Sequence, residues 1–473
     1  MSGSRVQRSH ARLRVGSDIP PAALVISAAI FLAAGLCFAL AAPLLFCMLL
    51  AATALSSTTL VVYQCPVAAT VCWLLIVGST PEFWMADLIG GGSLMIAGEK
   101  LVGLALVGLL ILRYGLQLDM FNPGLAFLAM FAIGLKHGLH PRLDLAESLR
   151  SLAGSAAPFA FSFSRLSRRW ANAVIGTVCW LPSLLVLAGT LLALAGLHPL
   201  FVNQLGFRLQ ATGIPAFLGG FASTGVYASM LELLRRGRPL WMALLVANLG
   251  ILVLSGARAP LVIAAFIIVS TTLGLRSSRF GAAARLPLVL TAASALAVLV
   301  GAASQLSDVR LFNVVSNRAD SLSGRELLWP QFEQTWADSP WVGWGVGAGK
   351  AVIGPDTPIA HLTGTTAPHN EYLRIAVEGG GLGLGLLLLC FVFWTASHTS
   401  RLPRIDRVFM RLMLLGIGVH AATDNLLIST TSSVLFAWVS AVFARGALEQ
   451  EALRRSEAAR VAASVATPAT ASA

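Results

Sequence analysis

The chain has 473 residues, of which 56% are hydrophobic and only 11% charged. A soluble domain carries about 25% charged residues, so this composition excludes an ordinary globular enzyme and makes the apolar segments membrane spans. The formal net charge of +12 sits in short Lys/Arg clusters between apolar stretches, which is the pattern of cytoplasmic loops and argues against a nucleic-acid partner.

The first 21 residues form a basic head with Arg5, Arg8, Arg12 and Arg14. The long apolar run behind it is read as a retained first span and not as a signal peptide. Apolar stretches then fall near residues 22–40, 42–63, 66–80, 99–115 and 124–139. Residues 82–97 are weaker, with Glu82, Asp87 and consecutive glycines from Gly90 to Gly92, which suits a re-entrant segment or a poor span. Residues 140–170 hold Arg142, Arg150, Arg165, Arg168 and Arg169 and are expected to form a cytoplasmic loop with an amphipathic piece. Eight further spans are expected near 171–196, 214–233, 239–256, 259–275, 286–303, 380–397, 408–427 and 431–446. An Ala/Ser/Thr-rich tail from about 447 is expected to be disordered. The six cysteines all lie in or beside apolar segments without CxxC spacing, so they read as small buried hydrophobes.

Arginine clusters at 235–238, 276–285, 401–411 and 445–455 fix the topology, because each falls on the same side if every span crosses once. Both chain ends then face the cytoplasm, which requires an even number of spans, 12 or 14. Residues 304–379 fall on the opposite side, with five Lys/Arg against eight Asp/Glu. The fold class is therefore all-α and polytopic, with about 12–14 transmembrane helices and one large periplasmic loop holding a helical subdomain. Its parts are a cytoplasmic head (1–21), transmembrane helices (22–303), the loop (304–379), C-terminal transmembrane helices (380–446) and the tail (447–473). The spacing of the spans shows no internal repeat.

Three residues on the loop side are candidates for chemistry. Arg258, in Leu254-Ser-Gly-Ala-Arg258, sits between two apolar spans on the face that positive-inside topology depletes of arginine. It either snorkels to the interface or meets an anion. Arg325 follows Ser323, which has capping-box spacing to Glu326, and Leu328, Phe332 and Trp336 recur every four residues behind it. Pro330 complicates that helix. Arg325 either pairs with Glu326 or Asp320 at the surface or favours an anion at the helix start. His369 lies between Pro368 and Asn370, and Asn370 is placed to cap the helix beginning at Glu371. A histidine pinned at a helix mouth suits proton transfer near neutral pH, although a lone loop histidine is usually bland.

Two patterns are set aside. Gly345 to Lys350 looks like a phosphate loop, but Trp344 and Ala351 stand where glycine and Ser/Thr are needed. His361 and His369 have no carboxylate at a useful spacing, so no metal site is expected. Trp329, Trp336, Trp341 and Trp344 either stack on sugar rings or pack a small subdomain.

In this order the motifs resemble the O-antigen ligase/polymerase family of bacterial envelope glycosyltransferases. The resemblance rests on Leu254-Ser-Gly-Ala-Arg258, on Ser323-Gly-Arg325 with Trp329, and on Pro368-His-Asn-Glu-Tyr-Leu373 with Glu378 and Gly379. It covers roughly residues 170–446. The first motif departs from the usual Ser-Arg by the inserted Gly256 and Ala257. The resemblance implies a periplasmic helical subdomain over a cavity in the bacterial inner membrane. It implies a glycan donor carried on undecaprenyl diphosphate, a glycan or lipid A–core acceptor, inversion at the anomeric carbon, and no metal, nucleotide or other cofactor. A chain-length regulator protein is an implied partner. Its catalytic residues would be His369, Arg325 and Arg258, with Arg208, Asn370 and Tyr372 at the substrate. A polymerase is favoured over a ligase. A transporter or flippase would want charge inside the spans. From residue 171 onward the spans hold few charges, Glu232 near one end and Asp424 with His420 in the penultimate span, while charge concentrates at the outer face.

Overall fold

The computed structural model describes residues 59, 62–85, 92–203, 207–274 and 325–466. Two compact units divide the chain, Met1–Gln64 and Cys65–Ala473, and every helix and site named from here on belongs to the second. The expected spans at 22–40 and 286–303, most of that at 42–63, and the cap at Ser323 lie outside the described residues, as does the side chain of Glu326.

Antiparallel helices run between two ends of a bundle. α1 (Pro66–Ser79) leads through the short α2 (Pro81–Trp84) towards α3 (Gly92–Tyr114), and α4 (Pro123–His137) returns. Asn122 starts α4 by accepting the Gly124 N–H at 2.8 Å, with Pro123 at the first helical position. α6 (Arg168–Leu194) begins with the Ser167 hydroxyl accepting the Trp170 N–H at 3.2 Å. A short hairpin of β1 (Phe201–Asn203) and β2 (Phe207–Leu209) follows, the one departure from helix among the described elements. Then come α7 (Pro215–Arg236), α8 (Pro239–Ser255) and α9 (Arg258–Gly274). Beyond the loop, α13 (Glu371–Ser400), α14 (Arg404–Ala421) and α15 (Thr430–Ala466) complete the bundle. Among the described residues five helices are long and apolar enough to cross a membrane: Met95–Tyr114, Arg168–Leu194, Pro215–Arg236, Glu371–Ser400 and Thr430–Val461. Shorter apolar helices add to them at Pro66–Ser79, Pro123–His137, Pro239–Ser255 and Arg258–Gly274. The protein is a polytopic membrane protein, as its composition requires.

Two segments differ from expectation. The sequence reading makes 140–170 one cytoplasmic loop, but this segment runs from one end of the bundle to the other. α5 (Leu145–Ala156) begins beside the loop, where the His140 N–H donates to Trp344 O at 3.0 Å and the Ser148 hydroxyl to Val346 O at 2.6 Å. A 3-10 stretch, Ala157–Phe163, continues it to the far end, where the Gln117 N–H donates to Phe163 O at 2.8 Å and the Arg165 N–H to Gly115 O at 3.0 Å. The arginines of this segment therefore divide, with Arg142 and Arg150 at the loop end and Arg165, Arg168 and Arg169 at the far end. Charge counting could not separate two clusters joined by serines and alanines. The tail differs as well. α15 runs on to Ala466 where disorder from about 447 is expected, supported by an i,i+4 pair between Glu451 and Arg455.

The loop subdomain is built from α10 (Arg325–Ala337), α11 (Ala348–Ala351) and α12 (Pro358–Thr363). Leu328 and Phe332, one turn apart, are fully buried with Ile353, Leu143, Leu373 and Val377 in a core shared with α5's approach and α13's first turns. α13 is broken at Gly380 (φ 61°, ψ −169°), where a Cβ would lie 2.2 Å from the Trp341 carbonyl carbon. Around the break, main chain meets main chain. Trp344 and Gly345 donate to Val377 O and Glu378 O, both at 2.9 Å, while Gly381 and Leu382 donate back to Pro340 O and Trp341 O at 2.7 and 3.1 Å.

Candidate functional site

His369 is held in an unusual backbone conformation, φ +47°, one of three non-glycine residues with positive φ among those described. Such a residue costs about 1–3 kcal/mol and persists only where its surroundings over-determine it. They do so here. The Trp329 indole N–H donates to Pro368 O at 2.8 Å, and the Asn370 side chain caps α13 by accepting the Leu373 N–H at 3.2 Å. One turn on, the Tyr372 hydroxyl donates to Gly418 O at 2.7 Å, fixing the start of α13 against the end of α14.

The imidazole Nδ1 lies 3.2 Å from Asp424 Oδ1. An ionised carboxylate can only accept, so Nδ1 carries the hydrogen and the other nitrogen of a neutral ring, Nε2, is the acceptor. Nε2 has the Thr365 hydroxyl at a long 3.5 Å. The side chains of His369 and Asp424 are 38% and 44% exposed, so the pair opens to solvent. Burial opposes the charge on Asp424, but the hydrogen bond from His369 and the neighbouring His420 and His369 outweigh it and hold the carboxyl below its ordinary value.

The arginines gather around the same place. Arg325 is the first residue of α10 and is half-buried, which lowers its pKa, while the nearby Asp424 carboxylate acts in the opposite direction. Arg258 is the first residue of α9. This helix runs antiparallel to α14, with Ile263 packed on Gly416. Ala257 lies against Gly219 and Thr431 against the next residue, Gly220, so Arg258 stands at the same end of the bundle as the start of α15. Arg208, on β2, is buried and donates from Nε to Ser255 O at 2.8 Å, and its guanidinium lies against Gly256 two residues before Arg258. His369, Asn370, Tyr372, Arg325, Arg258 and Arg208 therefore all stand at the loop end. Of these, His369 and Arg325 are tied to Asp424 in the connection between α14 and α15, and Tyr372 to Gly418 near the end of α14.

Asp424 is the residue that sequence reasoning missed. The sequence reading places it with His420 inside the penultimate span, 408–427. α14 ends at Ala421, and Asp424 lies in the following turn. The signal was present: Thr423, Asp424 and Asn425 are turn formers at the end of an apolar run. The tryptophans mostly serve packing. Besides Trp329, the Trp344 indole donates to Thr335 O at 2.8 Å and Trp336 to Pro340 O at 3.2 Å, whereas Trp341 is 70% exposed. Gly345 of the false phosphate loop bonds the broken helix and Ser151 packs on Gly347, so that stretch serves the fold.

A bundle of apolar helices with a solvent-open histidine, a carboxylate and arginines at one end defines a multi-pass membrane protein with a polar site outside its spans. Residues 243–388 match the family model described as O-antigen ligase. The match takes in Arg258, Arg325, His369, Asn370 and Tyr372 and leaves Arg208 and Asp424 outside it. It is narrower than the 170–446 of the sequence resemblance. A search among curated proteins returns no match.

Proposed function

We propose that the protein is a glycosyltransferase of the bacterial inner membrane that polymerises undecaprenyl-diphosphate-linked repeat units into a surface polysaccharide. The loop end faces the periplasm. The observation that carries this reading is the His369–Asp424 pair, with an acceptor nitrogen open to solvent and arginines at the surrounding helix starts. Arg165, Arg168, Arg235, Arg236, Arg401 and Arg404 at the far end support the orientation.

In the reaction, an acceptor hydroxyl gives its proton to His369 Nε2 as its oxygen bonds the anomeric carbon. The bond from that carbon to the diphosphate oxygen breaks on the opposite side, so the configuration inverts. Asp424 keeps the Nδ1 hydrogen in place and stabilises the imidazolium that forms. Arg325 and Arg258 take the charge developing on the departing diphosphate, for which a planar, permanently charged guanidinium is suited. Arg208, Asn370 and Tyr372 shape the substrate's surroundings.

The family model's own description, O-antigen ligase, favours a second reading, in which the finished polymer passes to lipid A–core. A gel of surface polysaccharide from a deletion strain separates the two, with wild type or His369→Ala supplied at equal protein level. Failure of His369→Ala with single repeat units on lipid A–core supports the polymerase. Failure with long chains on the lipid carrier and bare core supports the ligase. Full restoration by His369→Ala overturns the catalytic assignment.

A further inference from the structure

A cavity of about 390 Å³ lies beside the site, between α3, α5, α11 and the α14–α15 connection. Its polar lining is Lys100, Arg150, Lys350 and Glu147, and its walls are apolar, with Ile96, Leu149 and Ile428 among them. Lys100 is only 8% exposed, and its ammonium donates to Ile428 O at 2.7 Å. Glu147 binds both Lys350, at 2.8 Å, and Arg150, at 2.7 Å. Glu147 thus holds two of the three basic groups, Lys100 donates also to Gly154 O at 3.5 Å, and each of the three keeps N–H donors beyond those used in these bonds. Two more buried carboxyls, Glu82 and Glu99, lie within electrostatic reach of Lys100 without lining the cavity. Leu101 and Leu149, on the cavity's edge, are 58% and 48% exposed, so its mouth is oily as well as cationic. Apolar walls with a cationic pole fit an anion carrying a hydrocarbon chain and suit neither a free sugar nor a free phosphate.

We infer that this cavity holds the phosphorylated lipid anchor of the acceptor glycan, with its phosphate against Lys100, Arg150 and Lys350. The inference rests on the proposed glycosyl transfer, which needs two lipid-anchored glycans on one leaflet, and it is indifferent to whether the acceptor is a second carrier-linked unit or a phosphorylated lipid core. The position suits that role. Ile428 lines the cavity four residues after Asp424, so a single turn of chain separates the acceptor's anchor from the histidine that takes its proton.

The test is a titration of the full-length protein with farnesyl diphosphate in phosphatidylcholine nanodiscs, read as stoichiometry by calorimetry. Wild type binds two equivalents. Arg150→Glu/Lys350→Glu loses one and keeps the other with unchanged affinity, and Arg325→Ala loses the opposite one. Lys350→Gln alone weakens the same site about tenfold. A wild type that binds one equivalent, or a double variant that still binds two or loses both, overturns the inference. So does phosphatidylglycerol in the disc, or inorganic pyrophosphate, displacing this equivalent as well as farnesyl diphosphate fills it. Retention of both equivalents by Arg325→Ala would instead break the donor clamp of the proposed function and leave this site standing.

Discussion

The two ends of the bundle treat charge differently. At the far end Arg165, Arg168, Arg401 and Arg404 lie exposed, but the buried charges are paired. Arg445 is 2% exposed and pairs with Glu232, which is fully buried and also binds Arg236 at 2.6 Å. Arg235 binds Asp406 and, at 2.6 Å, Glu449, tying α7, α14 and α15 together. Asp119 accepts from Ser162, Trp394 and His398 at 2.9, 2.9 and 3.0 Å. At the loop end Arg374 is closed in the same way by Glu371 and Glu378, but His369, Asp424, Arg150 and Lys350 stay in contact with solvent. A buried ion pair gives little net stability and a strong penalty when broken, so closed pairs fix geometry. Charges left open are the ones that can meet a substrate.

The comparison can be broken by substitution. The largest effect is expected from His369→Ala, which on the proposed mechanism removes the proton acceptor and lowers the transfer rate about 10³-fold or more, read from polymer formed by membranes with equal protein. Arg325→Lys keeps the charge and loses the fork. It is expected to cost about 10²-fold in rate with the protein still folded, and near-normal polymer in that variant would remove the arginine clamp. Glu232→Gln at the closed end should do the reverse. It leaves Arg445 buried without its carboxylate and costs about 3–5 kcal/mol of stability in a denaturation assay, while activity per folded molecule is kept.

Two smaller effects sharpen the contrast. Asp424→Asn keeps the shape but no longer dictates which imidazole nitrogen carries the hydrogen. It should lower kcat about ten- to a hundredfold with KM little changed, and equal losses in both would point to a structural role. The carboxyl of Asp424 is held below its ordinary value, so its ionised form favours the folded state. That stability is present above the ordinary carboxylate range and is lost as the pH falls through the lowered value. Thermal unfolding of wild type should therefore lose more stability below about pH 4 than unfolding of Asp424→Asn.

Much of this was legible in the sequence, for identifiable reasons. The helices are long apolar runs, and apolar runs of span length have few other uses. His369 and Asn370 were legible because proline, histidine and a capping residue stood directly before such a run. The four-residue recurrence of Leu328 and Phe332 marked the buried face of α10. What escaped was set by tertiary contact. Asp424 finds His369 from 55 residues away, and no local pattern joins a turn at the end of one span to the mouth of another. The crossing made by α5 and its 3-10 extension escaped because Ser148, Ser151 and Ser155 look like loop residues. They are fully buried, with Ser148 bonded to Val346 O.

The break at Gly380 bears on how such a protein can change. The loop is spliced to the span through main-chain groups of residues 340–345 and 377–382, and a peptide bond donates and accepts whatever side chain it carries. Only the glycines are constrained, Gly343 and Gly380 by the lack of room for a Cβ. The register of the loop over the bundle is therefore insulated from drift in its outward residues. Trp341 and Leu362, 70% and 78% exposed, can be exchanged without moving His369. A scaffold wired in this way can vary its outer surface by substitution alone while its main-chain splice stays fixed.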